Sequence, residues 1–256
     1  YGDHRDLHSF PTRRSSESER HPIGLVSTFL GAHAVPKEQR AEDYIQTILT
    51  EMLPKMKNLA QFCDVFCEKG VFTVAQARKI LNAGKQQGLI PKVHADEIVN
   101  TGGAALAAEV GAISADHLLQ SSAAGLRAMA QNQVIGVLLP GTPFCLMMQQ
   151  YAPARKIIMS GVPVALATDL NPNCWTENMQ LVIQLACLQM RMTPAEAITA
   201  ATFNAACAIG MQQVIGSLEP GKQADLLILD CPNHQFLPYH FGVNLVETVI
   251  KKGQVV

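Results

Sequence analysis

Aromatic and charged residues are scarce in this sequence of 256 residues, at 5% and 16% of the chain. The formal net charge is −1, and there is one tryptophan. A chain without a basic excess has no general attraction for nucleic acid or for an anionic membrane, and few aromatic rings leave little for bases to stack on. Apolar runs stay below the roughly 20 residues that a membrane-spanning helix needs. We therefore expect a protein that binds neither nucleic acid nor membrane.

The sequence also lacks the apolar core of a secretory signal near its N-terminus. Its seven cysteines are an odd number and lie mostly inside apolar stretches, which is typical of reduced, buried thiols. Cys63 and Cys67 are spaced like metal ligands, but no second pair of cysteines or histidines follows at zinc-finger spacing. We expect a cytoplasmic protein without a zinc finger. Apolar residues, at 48%, suffice for a large core.

Residues 1–21 differ in composition from the rest and contain three of the eight histidines. The stretch HSFPTRRSS within them resembles the translation of a sequencing-library adaptor. We predict that residues 1–21 are a non-native or disordered leader and that the native sequence begins near Pro22. A transit peptide is the alternative, and the acidic residues of this stretch argue against it.

From Gly24 onward, short apolar runs typical of strands alternate with amphipathic segments typical of helices. The predicted strands are Gly24–Ala32, Phe62–Glu68, Pro91–Asp96, Ile113–Leu118, Val134–Gly141 and Val162–Asp169. The clearest helices are predicted over 43–59, 73–87, 102–110 and 122–132, with a capping box formed by Thr73 and Gln76. Six strand–helix units in a row predict a parallel sheet covered by helices. Nearly continuous apolar strands predict burial on both faces of that sheet.

The C-terminal part changes character after a predicted helical stretch over 193–210. From about Val214 onward the pattern predicts a few antiparallel strands of a second, smaller domain. We predict an incomplete barrel over 22–212 and a β-sandwich portion over 213–256. The α/β part has about 190 residues, whereas a complete eight-stranded barrel uses roughly 250, so the barrel interpretation requires two further strands upstream.

Side chains capable of chemistry gather where the predicted strands end. The residues at these ends are His33, Glu68, His94, His117 and Asp169, with Glu97 three residues after His94. In a parallel α/β barrel, active-site groups come from the C-terminal ends of several strands. Imidazole and carboxylate groups together suit a divalent ion such as zinc or iron. The pattern therefore predicts a metal site.

Each of these residues has a structural alternative when it is taken alone. Asp169 can cap a helix, and a strand-end histidine such as His94 can be a hydrogen-bonded core residue. Glu68 can be a surface charge paired with Lys69 or Lys92. The joint pattern at successive strand ends favours the metal site over these separate roles.

Several segments from about Leu25 to Val256 carry a family resemblance. They are STFLGAHAVP, DVFCEKGVF, KVHADE, GGAALAAEVGAISADHL, VALATDLNP, GSLEPGKQADLLILD and PYHFGVNLVETVIKKG. Together they resemble the imidazolonepropionase family of the amidohydrolase superfamily. The resemblance implies an α/β fold, a partial (β/α)8 TIM-like amidohydrolase barrel, with the C-terminal part of a small β-sandwich domain. The six predicted strands would be the third to the eighth of the barrel, and the HxH motif of the first strand has no counterpart here.

The resemblance also implies roles for the site residues. His94 and Asp169 would hold one divalent metal ion, zinc or iron. Glu97, His117 and Asp169 would be catalytic. The implied substrate-binding residues are His33, Glu97, Asn171, Asn173 and Cys174. Family members are commonly homodimers, so a homodimer is expected.

The implied reaction is metal-dependent hydrolysis of the cyclic amide 4-imidazolone-5-propanoate to N-formimidoyl-L-glutamate in histidine degradation. Asp169 would orient or deprotonate the attacking water, and Glu97 would move a proton onto the leaving ring nitrogen. These two roles can be exchanged. His117 would donate a hydrogen bond to the carbonyl oxygen as charge develops on it.

Two other functions stay open at this point. A related aminohydrolase that deaminates a purine or pyrimidine uses the same HxxE, histidine and aspartate arrangement. An inactive, truncated chain is the second alternative, because an incomplete barrel exposes strand edges.

Overall fold

A computed structural model of the chain describes residues 22–256, so the predicted leader over 1–21 lies outside the described residues. Six strands form one parallel sheet in chain order, with edges at the first and the sixth strand. They are β1 Thr28–Ala32, β2 Phe62–Cys67, β3 Ile90–Ala95, β4 Ser114–His117, β5 Ile135–Leu138 and β6 Val164–Leu166. The predicted α/β class with a parallel sheet is confirmed. Within residues 22–256 the sheet is not closed into a barrel.

Helices connect the strands. Their bounds are α1 Ala41–Thr47, α2 Val74–Gln86, α3 Gly103–Glu109, α4 Ala123–Gln131, α5 Gly141–Cys145, α6 Ala154–Met159, α7 Met179–Leu188, α8 Pro194–Ala201, α9 Phe203–Ala208 and α10 Phe236–Tyr239. A π turn, Ile48–Met52, and a 3-10 turn, Leu53–Met56, prolong α1. The predicted capping box of Thr73 and Gln76 is present at the start of α2. The helix predicted over 193–210 is wrong as a single element, because the backbone at Thr202 (φ −121°, ψ −88°) interrupts it.

The two faces of the sheet differ in chemistry. Alternate residues such as Val65, Val93 and Leu138 pack with the surrounding helices into the main hydrophobic core. On the opposite face, β5 and β6 contribute Val137 and Ala165 to a smaller apolar cluster that includes α9. Both faces are therefore buried, as the apolar strands predicted.

Three strands carry buried polar residues on that second, inner face. Asp64, Lys92, Ser114 and Asp116 are at most 9% exposed. Lys92 Nζ donates to Ser114 Oγ at 2.6 Å and to the Ala208 carbonyl at 3.0 Å, and Ser114 Oγ donates to Asp116 Oδ1 at 2.8 Å. The expectation of strands without polar alternation is wrong for β2–β4, because these side chains satisfy one another away from water.

A second sheet lies in the C-terminal segment. Strands β7 Leu226–Leu229, β8 Val246–Lys251 and β9 Gln254–Val255 pair antiparallel. This sheet falls where antiparallel strands were expected, and the division into domains at residue 212 stays a prediction. Among residues 22–256, no helix has the length and apolar character required to cross a bilayer.

We expect the Gly103→Ala substitution to destabilise the fold, because α3 begins directly against β3. A Cβ added at Gly103 would lie 2.9 Å from Ala95 Cβ and 3.0 Å from Ala95 Cα, so the backbone must move. Such overpacking costs about 1–3 kcal/mol of unfolding free energy, measurable by urea denaturation. Gly24→Ala is the control, since its Cβ would meet no atom within 4 Å. Equal unfolding free energies for the two variants would contradict this packing.

Candidate metal centre

The predicted site residues meet at the C-terminal end of the parallel sheet. His33 follows β1, His94 lies on β3, His117 ends β4 and Asp169 follows β6. Since the carboxyl ends of parallel strands share one edge, residues distant in sequence are brought together there.

Three of these residues have possible metal-ligand atoms that lie close together. One donor atom each of His94, His117 and Asp169 lies within 4.8 Å of the others. The rings of His94 and His117 are 5.1 Å apart between centroids. Thr142, in α5, donates a hydrogen bond to Asp169 Oδ2 and so fixes that carboxylate. Sequence reasoning predicted His94 and Asp169 as ligands, and the geometry adds His117 as a third possible donor.

Asp64 is a site residue that the sequence analysis missed. Its carboxylate contacts two imidazoles, with Oδ2 3.0 Å from His94 Nδ1 and Oδ1 3.9 Å from His33 Nε2. The rings of His33 and His94 pack edge to face with 4.3 Å between centroids. These three residues form a second group with the spacing of metal ligands. The signal for Asp64 was available: it is the one carboxylate inside an otherwise apolar strand.

Burial and pairing set the charges of the cluster. Burial alone would raise the pKa of Asp64, but the neighbouring imidazoles, His94 above all, hold it well below its usual range. Burial alone would lower the pKa of His94, and the Asp64 charge outweighs this and raises it to about 9. Burial lowers the pKa of His117 to about 3, helped by the charge on His94. His117 is therefore neutral at pH 7, and a neutral imidazole can act as a ligand.

The backbone of His117 explains how its ring reaches the site. Ser114 and Asp116 face inward, so strict alternation would turn His117 toward the surrounding helices. Its φ of +75° breaks that alternation. Asp169 also has a positive φ, +54°. Such conformations are unusual for residues with a side chain and cluster at functional sites.

Glu97 lies on a loop whose backbone is hydrogen-bonded to the buried carboxylate of Glu68. Glu97 Oε1 lies 3.6 Å from His117 Nδ1, and burial raises the pKa of Glu97. Glu68 accepts backbone N–H groups of the loop, from Ile98 at 2.9 Å and Val99 at 3.4 Å. The alternative of a surface charge at Glu68 is wrong, because the residue is 1% exposed.

The loop after Asp169 contains the remaining predicted substrate contacts. Asn171 Nδ2 donates to the Asp169 carbonyl at 2.7 Å, and Asn171 Oδ1 accepts from the Asn173 backbone at 2.8 Å. Asn173 is exposed, whereas Cys174 is fully buried with its thiol 3.6 Å from the Thr168 carbonyl. The substrate-binding roles of these residues stay predictions.

Residues 29–256 match the model of the amidohydrolase family. The chain belongs to the amidohydrolase family.

Curated relatives of this amidohydrolase chain carry the name imidazolonepropionase. The protein of Geobacillus kaustophilus (strain HTA426) is 59% identical over 243 residues, which cover 93% of this chain and 57% of that protein. The protein of Alkaliphilus oremlandii (strain OhILAs) is 57% identical over 240 residues, covering 92% of this chain and 57% of that protein. The predicted resemblance is confirmed, and the chain spans somewhat more than half the length of these relatives.

Solved structures share the fold at low identity. An adenosine deaminase from Xanthomonas campestris with bound zinc superposes with a TM-score of 0.74 at 19% identity, covering 96% of this chain and 63% of that one. A Xaa-Pro dipeptidase with bound methionine in its active site gives 0.71 at 19% identity, covering 96% and 72%. At these identities the likeness concerns the fold alone, and it agrees with the predicted fold class.

The residues of the amidohydrolase site fit a divalent metal ion. Of six buried side-chain nitrogen and oxygen atoms without a hydrogen-bond partner among residues 22–256, four belong to this cluster. They are His33 Nε2, Asp64 Oδ1, His94 Nδ1 and His117 Nδ1. Unpartnered buried polar atoms are costly unless a ligand satisfies them. Imidazole and carboxylate donors suit zinc or iron.

We expect Asp96→Ala to lower the unfolding free energy by more than about 3 kcal/mol, because several charge-assisted hydrogen bonds are lost together. The Asp96 carboxylate accepts the backbone N–H groups that open α3, from Gly103 at 2.9 Å and Ala104 at 3.2 Å, and the hydroxyl of Ser121 at 2.9 Å. Urea denaturation measures the loss. Asp43→Ala removes an exposed carboxylate and should change stability by less than about 0.5 kcal/mol. Similar losses in both variants would refute the anchoring role.

Proposed function

We propose that the protein catalyses metal-dependent hydrolysis of 4-imidazolone-5-propanoate to N-formimidoyl-L-glutamate. The observation that carries this proposal is the 59% identity to an imidazolonepropionase over a region that contains the metal-ligand group. The adenosine deaminase and the Xaa-Pro dipeptidase share the fold at 19% identity, and this likeness carries no argument about the substrate of this chain.

In this proposal His94 and Asp169 hold one zinc or iron ion, and His117 lies beside them. When bound, such an ion lowers the pKa of water so that a nucleophile exists at neutral pH. In the proposed reaction Asp169 accepts a proton from the attacking water, and Thr142 orients its carboxylate. His117 donates a hydrogen bond to the substrate carbonyl oxygen.

Glu97 supplies the proton transfer to the leaving ring nitrogen. Burial raises the pKa of its carboxyl, which brings it closer to the range in which a carboxylic acid can donate a proton near neutral pH. Its contact with His117 and the anchoring of its loop by Glu68 restrict where the carboxyl can lie. Hydrolysis places a hydroxyl on the carbonyl carbon, breaks the bond from that carbon to the ring nitrogen, and leaves the nitrogen protonated.

Substrate binding falls to residues around this group. His33 lines the site beside His94, with 25% of its side chain exposed, so one edge of the ring is open to a ligand. Asn171 keeps a second N–H and a second lone pair beyond its bonds within the loop, and these suit the ring or the propionate. The substrate-binding roles of Asn173 and Cys174 remain predictions. The cytoplasmic location and the homodimeric state also remain predictions.

The decisive assay incubates the purified, metal-loaded protein with 4-imidazolone-5-propanoate and measures N-formimidoyl-L-glutamate. We expect ring opening, and we expect Asp169→Asn to lose both metal and activity because it weakens a ligand. Full metal content and activity in Asp169→Asn would refute its assignment. Ammonia release from a purine or pyrimidine without ring opening would favour the aminohydrolase. Metal binding without turnover of any of these compounds would favour a non-catalytic protein.

We expect Glu97→Gln to lower kcat by about 10²–10⁴-fold, since the amide cannot transfer the proton. The metal content should stay unchanged, because Glu97 is not one of the proposed ligands. Steady-state kinetics and elemental analysis measure the two quantities. Glu109→Gln is the matched control, as Glu109 pairs with Arg78 on the surface. The same kcat in both variants would exclude Glu97 as the proton donor.

A further inference from the structure

Asp64 is a buried carboxylate that reaches two imidazoles of the site and has no role in the proposed reaction. It lies in the middle of β2, opposite Lys92 in the register of β2 and β3, and its side chain is 3% exposed. An unpaired carboxylate in such a place is strongly destabilising, so its partners are part of the fold. Those partners are His94 and His33.

We infer that Asp64 is the positioning residue of the metal centre, holding the His94 imidazole through Nδ1 so that Nε2 is the nitrogen offered to a metal ion. The 3.0 Å separation of Asp64 Oδ2 and His94 Nδ1 carries this inference. Metal-bound histidines commonly donate their second N–H to a carboxylate, which fixes the tautomer and the ring orientation. This inference rests on the proposed role of His94 as a metal ligand.

The surroundings of the pair support a direct contact. The His94 ring is confined on two sides, by His33 at 4.3 Å and by His117 at 5.1 Å between centroids. The Nδ1–H bond is not aligned with the carboxylate as a hydrogen bond, although the two atoms are 3.0 Å apart.

A second metal ion is the competing explanation, because His33, Asp64 and His94 also have the spacing of a ligand group. Ligands of one zinc ion each lie about 2.0–2.2 Å from it and are spread tetrahedrally, which keeps their atoms more than about 3 Å apart. The contact between Asp64 and His94 is at the lower edge of that range, whereas the contact of Asp64 with His33 is long, at 3.9 Å. A direct pair explains the 3.0 Å contact with His94, and His33 then lies beyond hydrogen-bond distance of Asp64.

The test compares Asp64→Asn and Asp64→Leu with a matched control, Asp116→Asn. Asp116 is another buried carboxylate of the inner face, and its hydrogen bond comes from Ser114. Zinc affinity is measured by competition with a chromophoric chelator, and metal stoichiometry by elemental analysis. The protonation of the imidazole nitrogens is read from ¹⁵N chemical shifts of the metal-free protein labelled at histidine. Thermal melting checks that each variant is folded.

We expect Asp64→Asn to weaken zinc binding about tenfold and Asp64→Leu up to about a hundredfold, with less than about a twofold change in Asp116→Asn. The Nδ1 signal of His94 should report a protonated nitrogen in the wild type and in Asp116→Asn, and a mixture of protonated and unprotonated nitrogen in Asp64→Leu. If Asp64→Leu does not fold, the comparison of Asp64→Asn with Asp116→Asn decides, by zinc affinity.

Two results would overturn the inference. Equal zinc affinity in Asp64→Asn and Asp116→Asn would show that Asp64 does not position His94. Two zinc ions per wild-type chain, falling to one in Asp64→Asn, would make Asp64 a ligand instead. Failure of the proposed function is a separate outcome, because it appears as absent ring opening and leaves the nitrogen shifts of the metal-free protein unchanged.

Discussion

The pairing of Asp64 with His94 is the contact on which the inner face of the sheet depends. A charge buried between parallel strands must be matched, since the uncompensated ion would cost several kcal/mol. Lys92 is matched in the same way, through Ser114 and the end of α9. The side chains of Lys92, Ser114 and Asp116 are therefore hydrogen-bonded in a chain on this face. At the carboxyl end of the strands, His33 Nε2 and His117 Nδ1 have no hydrogen-bond partner within residues 22–256, and there an ion can be accommodated.

The fold was largely predictable because its local signals agree with each other. Apolar runs bounded by turns gave the six strands, and Thr73 and Ser122 marked helix starts that the structure contains. What the sequence did not reveal depends on long-range geometry. The break at Thr202 lies inside a continuous run of good helix formers, so no local signal marks it. Sheet closure is likewise undetermined by local pattern, because an edge strand and an inner strand of a parallel sheet can have the same apolar sequence.

Site residues that lie at strand ends were predictable from the sequence. Those that depend on which face of the sheet a side chain occupies were not. His94, His117 and Asp169 were found because they end strands, and the carboxyl end of a parallel sheet is one place in space. Asp64 and Glu68 were misjudged because the strands were considered as apolar runs. In β3, Lys92 and His94 stand two positions apart and share one face, and the register sets Asp64 of β2 opposite Lys92. Counting the period would have identified Asp64.

The backbone at His117 shows how the site departs from that period. Alternation would send its ring into the apolar core outside the sheet, yet φ of +75° brings it to 5.1 Å from the ring of His94. A left-handed conformation costs about 1–2 kcal/mol in a residue with a Cβ, and glycine would avoid this cost. Glycine, however, has no imidazole. The strain at His117, and again at Asp169, is therefore retained where a strand ends and a side chain of the candidate site turns inward, while Asp96 and Glu68 fix the adjoining loop with buried hydrogen bonds.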